Sequence, residues 1–389
     1  MIAWLRRPRV AVSVTFLVNG VIIASWAPHI PYVRERLALS EGVLGLALLA
    51  GAVGAVSAMT LAAPLSARIG PHRLAMIGGI LLLGISPLLV VAPNLPLLVL
   101  GLLAWGASTG AMDLAMNAVA ADVEHRARRP LMSGFHGMFS LGALAGSVIA
   151  AGAIRAGFTP FEHVAIVAAL LLAFAWVSFR ALPPASRGTE NAERTRLRLP
   201  ARALVVIGIL ALIVLGAEGA VESWSALLLK EGMGSTASFA AFGYGAFSLT
   251  MALFRFLGDG INTRVGPVAL VATGAGLAGA GLAFGLIVNA PWAMVVGFGI
   301  MGVGLANTVP VVFSAAAAHG KTAAEGLSSV AVLGYLGFLV GPPAIGFAAQ
   351  ATSLRVALLG VAAVLGVGAL MSRTVAPAGE ATLKASTAS

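Results

Sequence analysis

Twelve apolar stretches, each about the length of a membrane crossing, run through this chain and leave it few folds to choose from. A helix needs about 20 predominantly apolar residues to cross the hydrocarbon core of a bilayer. Stretches of that kind lie at residues 10–32, 42–66, 74–92, 95–121, 131–154, 163–179, 203–229, 239–258, 267–288, 291–315, 322–349 and 355–372. In hydrocarbon every backbone N–H and C=O must be satisfied inside the protein, and a long apolar run does so as a helix. Composition agrees: 59% of the residues are hydrophobic and 10% charged, against about 25% charged in an ordinary soluble domain. The expected fold class is an all-α membrane protein of 12 transmembrane helices. The 48 glycines suit close packing of such helices through small residues.

A net charge of +10 would suggest nucleic acid as partner of a soluble protein. Here it reads as topogenic charge: 18 of the 24 Lys and Arg fall in the tails and loops on the side of the two termini, five on the opposite side, and Arg255 inside span 8. An even number of spans puts both termini on one side, which the positive-inside rule makes the cytoplasm. The bilayer is an expected partner and nucleic acid is not. The basic stretch before span 1 precedes an apolar run that is long and lacks a clear small-residue cleavage site, so it is expected to anchor and not to be removed. The absence of cysteine excludes disulfides, thiolate metal sites and a Cys nucleophile. Neither a P-loop nor a GxSxG or HExxH motif occurs. No enzymatic activity, cofactor or metal is expected.

The longest polar stretch, ALPPASRGTENAERTRLRLPAR, separates spans 6 and 7 and has the Pro- and Arg-rich composition of an exposed linker. It divides the chain into two pseudo-symmetric six-helix halves, 1–181 and 202–375, joined by a cytoplasmic linker at 182–201 and followed by a tail at 376–389 expected to lack fixed structure. Such a six-plus-six arrangement is how carriers built from repeated halves are organised.

Within each half the third and sixth spans have no charged residue in their interiors. The first and fourth carry Asn19, Asp113, Asn117, Glu218, Glu222 and Asn307. Strongly polar groups must face protein or a water-filled cavity. Spans 1, 4, 7 and 10 are therefore predicted to line a central pathway, with the other spans toward lipid, and Asp113, Glu218 and Asn307 to approach one cavity. Asp113 is the only charge in the apolar segment 94–121, and Thr109 and Asn117, four residues to either side, share its helix face.

These residues carry a resemblance. Nearly the whole chain resembles a major facilitator superfamily transporter, and more specifically the bacterial YbjJ-like inner-membrane subfamily, distantly similar to fucose–proton symporters. The segments that carry it are FLVNGVIIASWAPHIPYVRERLALSEGVLG, MDLAMNAVAADVEHRARRPLMSGFHGMFSLGALAG, EGAVESWSALLL and GYLGFLVGPPAIG. The resemblance implies a multi-pass protein of the bacterial inner membrane, taken here as a monomer, that moves a small solute by alternating access with protons as partner. The chain also departs from superfamily patterns. In APLSARIGPHR, Ala67 stands at the acidic position of the loop motif, while RFLGDGINTRVG keeps the acid as Asp259. Ser223 stands where the subfamily pattern has an acid, with Glu222 one position earlier, turned by about 100° on the helix. Span 5 lacks the proline of the antiport-associated signature, which leans toward symport.

Burial penalises the charged form of a carboxyl group, so Asp113, Glu218 and Glu222 are the candidates to exchange a proton; for each, a structural acid bonded to a neighbouring helix is the alternative. Asn19, Trp26, Trp105, Thr109, Asn117, Trp224 and Asn307 are candidates for the substrate cavity. Asn19 and Asn307 read equally as interhelical hydrogen bonds, and Trp26 and Trp224 equally as interface anchors. His136, Arg255 and Asp259 are candidates for gating, the last two as an i,i+4 pair.

Overall fold

The computed structural model describes residues 7–128, 131–184, 202–320 and 323–376. Twelve helices in it are long and apolar enough to cross a membrane. They are span 1 (Pro8–Arg36), span 2 (Glu41–Ile69), span 3 (Pro71–Leu89), span 4 (Leu95–Ala127), span 5 (Met132–Arg155), span 6 (Pro160–Arg180), span 7 (Arg202–Gly232), span 8 (Ala237–Val265), span 9 (Pro267–Val288), span 10 (Pro291–His319), span 11 (Ala323–Ala351) and span 12 (Leu354–Val375). Most of the expected linker and tail lies outside the described residues.

Local chemistry sets the breaks between helices. Thr159 and Glu162 form a capping box at the start of span 6, and the Ser40 and Ser353 hydroxyls accept from Val43 N and Val356 N at the starts of spans 2 and 12. Gly70 (φ 92°) and Gly266 (φ 80°) turn the chain after spans 2 and 8 in a left-handed conformation suited to glycine. Each is followed by a proline at the first position of the next helix. The two turns read Arg68-Ile69-Gly70-Pro71 and Arg264-Val265-Gly266-Pro267, positions 196 apart, so the internal repeat is written in the sequence at these corners.

Span 10 is interrupted between Leu305 and Thr308. Pro310 has no N–H to donate to the carbonyl of Ala306 four residues earlier, so that oxygen is left for another donor. Span 1 tightens into a 3₁₀ turn at Ala27–His29, beside Pro28 and Pro31. Span 7 ends in a π turn over Leu228–Gly232.

The halves meet along two seams, span 2 against span 11 and span 5 against span 8. Near the face opposite the termini the first seam is backbone-close. A Cβ on Gly45 would sit 2.8 Å from the carbonyl of Pro342, and one on Gly346 would sit 2.6 Å from that of Glu41. Spans 3, 6, 9 and 12 flank the assembly and present large apolar side chains outward, among them Leu81, Leu170, Ile287 and Leu370.

Candidate solute cavity

A cavity of about 340 Å³ lies between the halves. Spans 1, 4, 7 and 10 line it, and so do spans 2, 5, 8 and 11, while spans 3, 6, 9 and 12 contribute nothing to its wall. The expectation that all but four spans face lipid is thereby corrected. Polarity along the sequence marks spans 1, 4 and 7 because their wall residues include Asn19, Asp113, Glu218 and Glu222. Spans 2 and 11 supply mostly glycine, alanine, apolar and aromatic groups, which leave no such mark, and spans 5 and 8 bring one titratable side chain each, His136 and Arg255.

Asp113 stands in the wall and its carboxylate is held from both halves. Asn117 Nδ2 donates to its Oδ1 at 3.2 Å and to its backbone carbonyl at 2.9 Å. From span 11 the Tyr335 hydroxyl donates to Oδ2 at 3.4 Å. Asn117 therefore backs the acid and does not itself line the cavity, which corrects its reading as a cavity residue. Thr109 lines the wall with its hydroxyl donated to the Trp105 carbonyl at 3.0 Å. Trp105 also lines it, its indole N–H fixed by the Ser86 hydroxyl at 2.9 Å. Trp26 and Asn19 complete this side. Asn19 Nδ2 points at the Met116 sulfur, and its Oδ1 is buried with no hydrogen-bond partner among the described residues.

Across the cavity Glu218 and Glu222, one helical turn apart on span 7, face inward with Ser223. Arg255 lies beside them. Its Nη2 is 3.8 Å from Glu218, its Nη1 donates to Ser140 on span 5 at 3.0 Å, and its Nε reaches the Ala306 carbonyl freed by Pro310, at 3.5 Å. The guanidinium therefore sits in the cavity wall among these partners. The side chains of Ala67 and Asp259 lie outside the described residues, so the expected pairing of Arg255 with Asp259 does too. His136 also lines the cavity, edge-on to Phe16 with ring centroids 5.2 Å apart.

Two expected cavity residues are elsewhere. Trp224 is fully buried away from the wall, because two positions on from Glu222 the helix has turned by about 200°. Asn307 is also outside the wall: its Nδ2 donates to the Phe254 carbonyl at 2.9 Å, tying the break of span 10 to span 8. Asp113 and Glu218 share the cavity; Asn307 does not join them.

A smaller side chamber of about 90 Å³ opens behind Arg255, between spans 5, 7 and 8, and is lined by Glu218, Glu222, Tyr244, Ser248 and Ser140 among others. Sequence reading passed over Tyr335 and Tyr244. The signal was there: the chain has three tyrosines, and two sit deep inside apolar spans where a phenol needs a partner.

Comparison with known proteins agrees with this architecture. The profile of the Major Facilitator Superfamily matches residues 12–322. The chain is 32% identical to an uncharacterized MFS-type transporter of Yersinia pestis over 369 residues, covering 94% of this chain and 95% of that one. It is 34% identical to the membrane protein MosC of Rhizobium meliloti over 355 residues, covering 91% and 86%. Among solved structures, the nucleoside transporter NupG (D323A mutant) superposes with a TM-score of 0.75 at 13% identity, over 95% of this chain and 100% of that one. A D-xylose–proton symporter does so with a TM-score of 0.75 at 14% identity, over 95% and 97%. With twelve spans, a cavity between two halves, and relatives of this kind along nearly its whole length, the chain belongs to the major facilitator superfamily of transporters.

Proposed function

We propose that the protein is a secondary active carrier of the bacterial inner membrane that takes up a small polar organic solute, sugar-like in size and chemistry, together with protons. It works by alternating access, as a monomer, with both termini in the cytoplasm as the basic loops indicate. The observation that carries this reading is the placement of partly buried carboxylates on both sides of one cavity, Asp113 from the first half and Glu218 and Glu222 from the second, with one guanidinium, Arg255, beside Glu218. Three acids facing one Arg in a low-dielectric site cannot all be ionised cheaply. Protons, a cationic group on the solute, or both must make up the balance. Trp26 and Trp105 suit a ring solute, since the Trp105 N–H is already engaged by Ser86 and what that side chain offers the cavity is its aromatic surface. The substrates of two fold neighbours, a nucleoside and D-xylose, are in keeping with a ring-shaped polar solute.

A second reading is proton-driven efflux of an amphipathic compound. It is favoured by the apolar side chains that make up much of the wall, including Met59, Val309, Phe313 and Phe338. A thermal-shift screen of purified protein against sugars, organic acids and cationic drugs identifies ligands, because a compound that binds only the folded state stabilises it. Flux in liposomes then decides. A proton gradient directed inward with the protein's native sense accumulates the solute in a symporter and expels it in an antiporter. A ligand that binds but does not cross into empty liposomes would identify a solute sensor and overturn both.

A further inference from the structure

We infer that Tyr335 links the charge state of Asp113 to the relative position of the two halves. The inference rests on the proposal that Asp113 exchanges a proton, and it names the residue through which that exchange is felt by the fold.

The Tyr335 hydroxyl, on span 11, donates across the cavity to Oδ2 of Asp113, on span 4. Span 4 belongs to the first half and span 11 to the second, so this bond joins the moving parts. Its length, 3.4 Å, exceeds the roughly 2.5–3.0 Å of an ordinary O–H···O bond, so the contact is a weak one here. A small relative displacement therefore makes or breaks it. The other oxygen of the carboxylate is held by Asn117 on the same helix, which keeps the acid fixed to the first half whatever the second half does. A phenol donates more strongly to a carboxylate than to a neutral acid. Ionised Asp113 thus favours the arrangement in which the bond is made, and that arrangement is also joined at the face opposite the termini, through Lys230 and Glu35 and the close seam at Gly45. When Asp113 takes a proton from water in the cavity the bond weakens and the joined arrangement loses support; the proton returns to water when the carboxylate reforms.

The other titratable groups facing this cavity are His136 on span 5, Glu218 and Glu222 on span 7 and Arg255 on span 8. The wall residues of spans 1, 2 and 10 include none, and span 3, which packs behind span 4, has none between positions 74 and 89. No other titratable side chain hydrogen-bonds to Asp113 among the described residues, so the hydroxyl of Tyr335 is the element to remove.

The test needs no identified solute. Spin labels are placed at Pro93→Cys, in the loop between spans 3 and 4, and at Ala351→Cys, the last residue of span 11, two exposed positions of opposite halves on the face away from the termini, in a chain with no native cysteine. The inter-label distance distribution of the full-length protein in nanodiscs is recorded by pulsed EPR across the range in which carboxylates titrate. In the parent, the ratio of short to long distances is expected to fall about tenfold as pH drops. Tyr335→Phe, which keeps the ring and its packing, and Asp113→Asn should each remove the same part of that response, and the double variant should remove no more than either alone. A parent with no pH response, a Tyr335→Phe protein that responds as the parent does, or effects of the two substitutions that add, would each overturn the inference. Absence of gradient-driven flux in the liposome assay would instead overturn the carrier reading, so the two failures are separable.

Discussion

Lys230, at the end of span 7, reaches Glu35, at the end of span 1, with 3.0 Å between nitrogen and oxygen. Beside this pair Arg34 bridges Glu231 and Glu41. Arg34-Glu35 and Lys230-Glu231 are the same basic-acidic dipeptide at positions 196 apart, the spacing that also separates the two Arg-(Ile/Val)-Gly-Pro corners. The repeat that builds the two halves has placed one such dipeptide on each, and they exchange ion pairs crosswise to fasten the halves together.

This clasp is partly exposed, and an exposed ion pair contributes only about 0.2–1 kcal/mol. Two such pairs can still bias a conformational equilibrium between states of similar energy. Glu35→Gln together with Glu231→Gln is expected to move the population away from the joined arrangement by about fivefold, the ratio that corresponds to about 1 kcal/mol. The charge-reversed pair Glu35→Lys with Lys230→Glu should restore it in part. Thiol labelling at single cysteines behind the clasp measures the change. The difference between parent and variant should shrink in high salt, which screens exposed pairs. Equal labelling rates at low salt would mean that the clasp does not gate.

Coupling gives a second expectation. Asp113→Asn and Glu218→Gln replace each acid by a neutral amide of nearly the same shape. If one of them carries the proton, its amide variant loses uphill transport in a pH gradient and keeps counterflow exchange, which needs no net proton movement. Asp113→Asn retains a carbonyl oxygen where Tyr335 donates; its new amide nitrogen cannot accept from Asn117 Nδ2, which keeps its bond to the backbone carbonyl of residue 113, so the melting temperature of the variant is measured beside its transport. Parent-like uphill transport in both single variants would remove both acids from the role.

The wall of the cavity offers a third. The Trp105 indole N–H is buried and donates to the Ser86 hydroxyl, which in turn donates to the Leu82 carbonyl at 2.7 Å. Ser86→Ala leaves the N–H without an acceptor, at a cost of about 1–3 kcal/mol. The melting temperature of the detergent-solubilised protein should fall, and solute affinity with it if the ring is a stacking surface. Ser86→Thr keeps the hydroxyl and should preserve both. A Ser86→Ala protein with unchanged melting would mean that Trp105 finds another partner.

The number of spans, their family and the position of Asp113 and the two glutamates in polar cavity-facing stripes were legible because insertion into a bilayer makes polarity costly, and cost shows in sequence. What was not legible follows from the same rule. Asn117 and Asn307 are as polar as Asp113, yet one supports the acid and the other ties spans 8 and 10 together, and sequence polarity does not separate a ligand from an interhelical bond. Trp224 lies within a segment whose acids face inward, but helical rotation carries it to the opposite face. For Arg255 the sequence offers only its i+4 neighbour Asp259, whose side chain lies outside the described residues, since spacing shows only local partners. Its contacts to Glu218, Ser140 and Ala306 come from other spans. The two corners were matched as loop motifs, but their spacing of 196 residues and the clasp at the same spacing went unnoticed; a search for self-similarity would have found both.

The last expectation concerns Pro310. Because proline cannot donate to the carbonyl four residues before it, the Ala306 oxygen remains free inside the membrane, where an unsatisfied carbonyl is costly. Arg255 Nε approaches that oxygen at 3.5 Å, while the same guanidinium is bound to Ser140 of the other half and lies near Glu218. The break in span 10 therefore helps to hold the Arg255 guanidinium between Glu218 and Ser140 of the opposite half. Pro310→Ala supplies the missing N–H. The helix can then close through Ala306, which gains the intrahelical hydrogen bond that the proline denies it. Arg255 loses one of its acceptors at the same time. The expected result is a protein that melts at a higher temperature and transports more slowly, the exchange of activity for stability seen when a strained functional site is relaxed. Melting by intrinsic fluorescence and initial rates in liposomes report the two quantities on the same preparation. A variant that is more stable and equally fast would show that the break serves only to fit span 10 among its neighbours, and one that is less stable would show that Asn307 and Phe254, not Pro310, hold the break open.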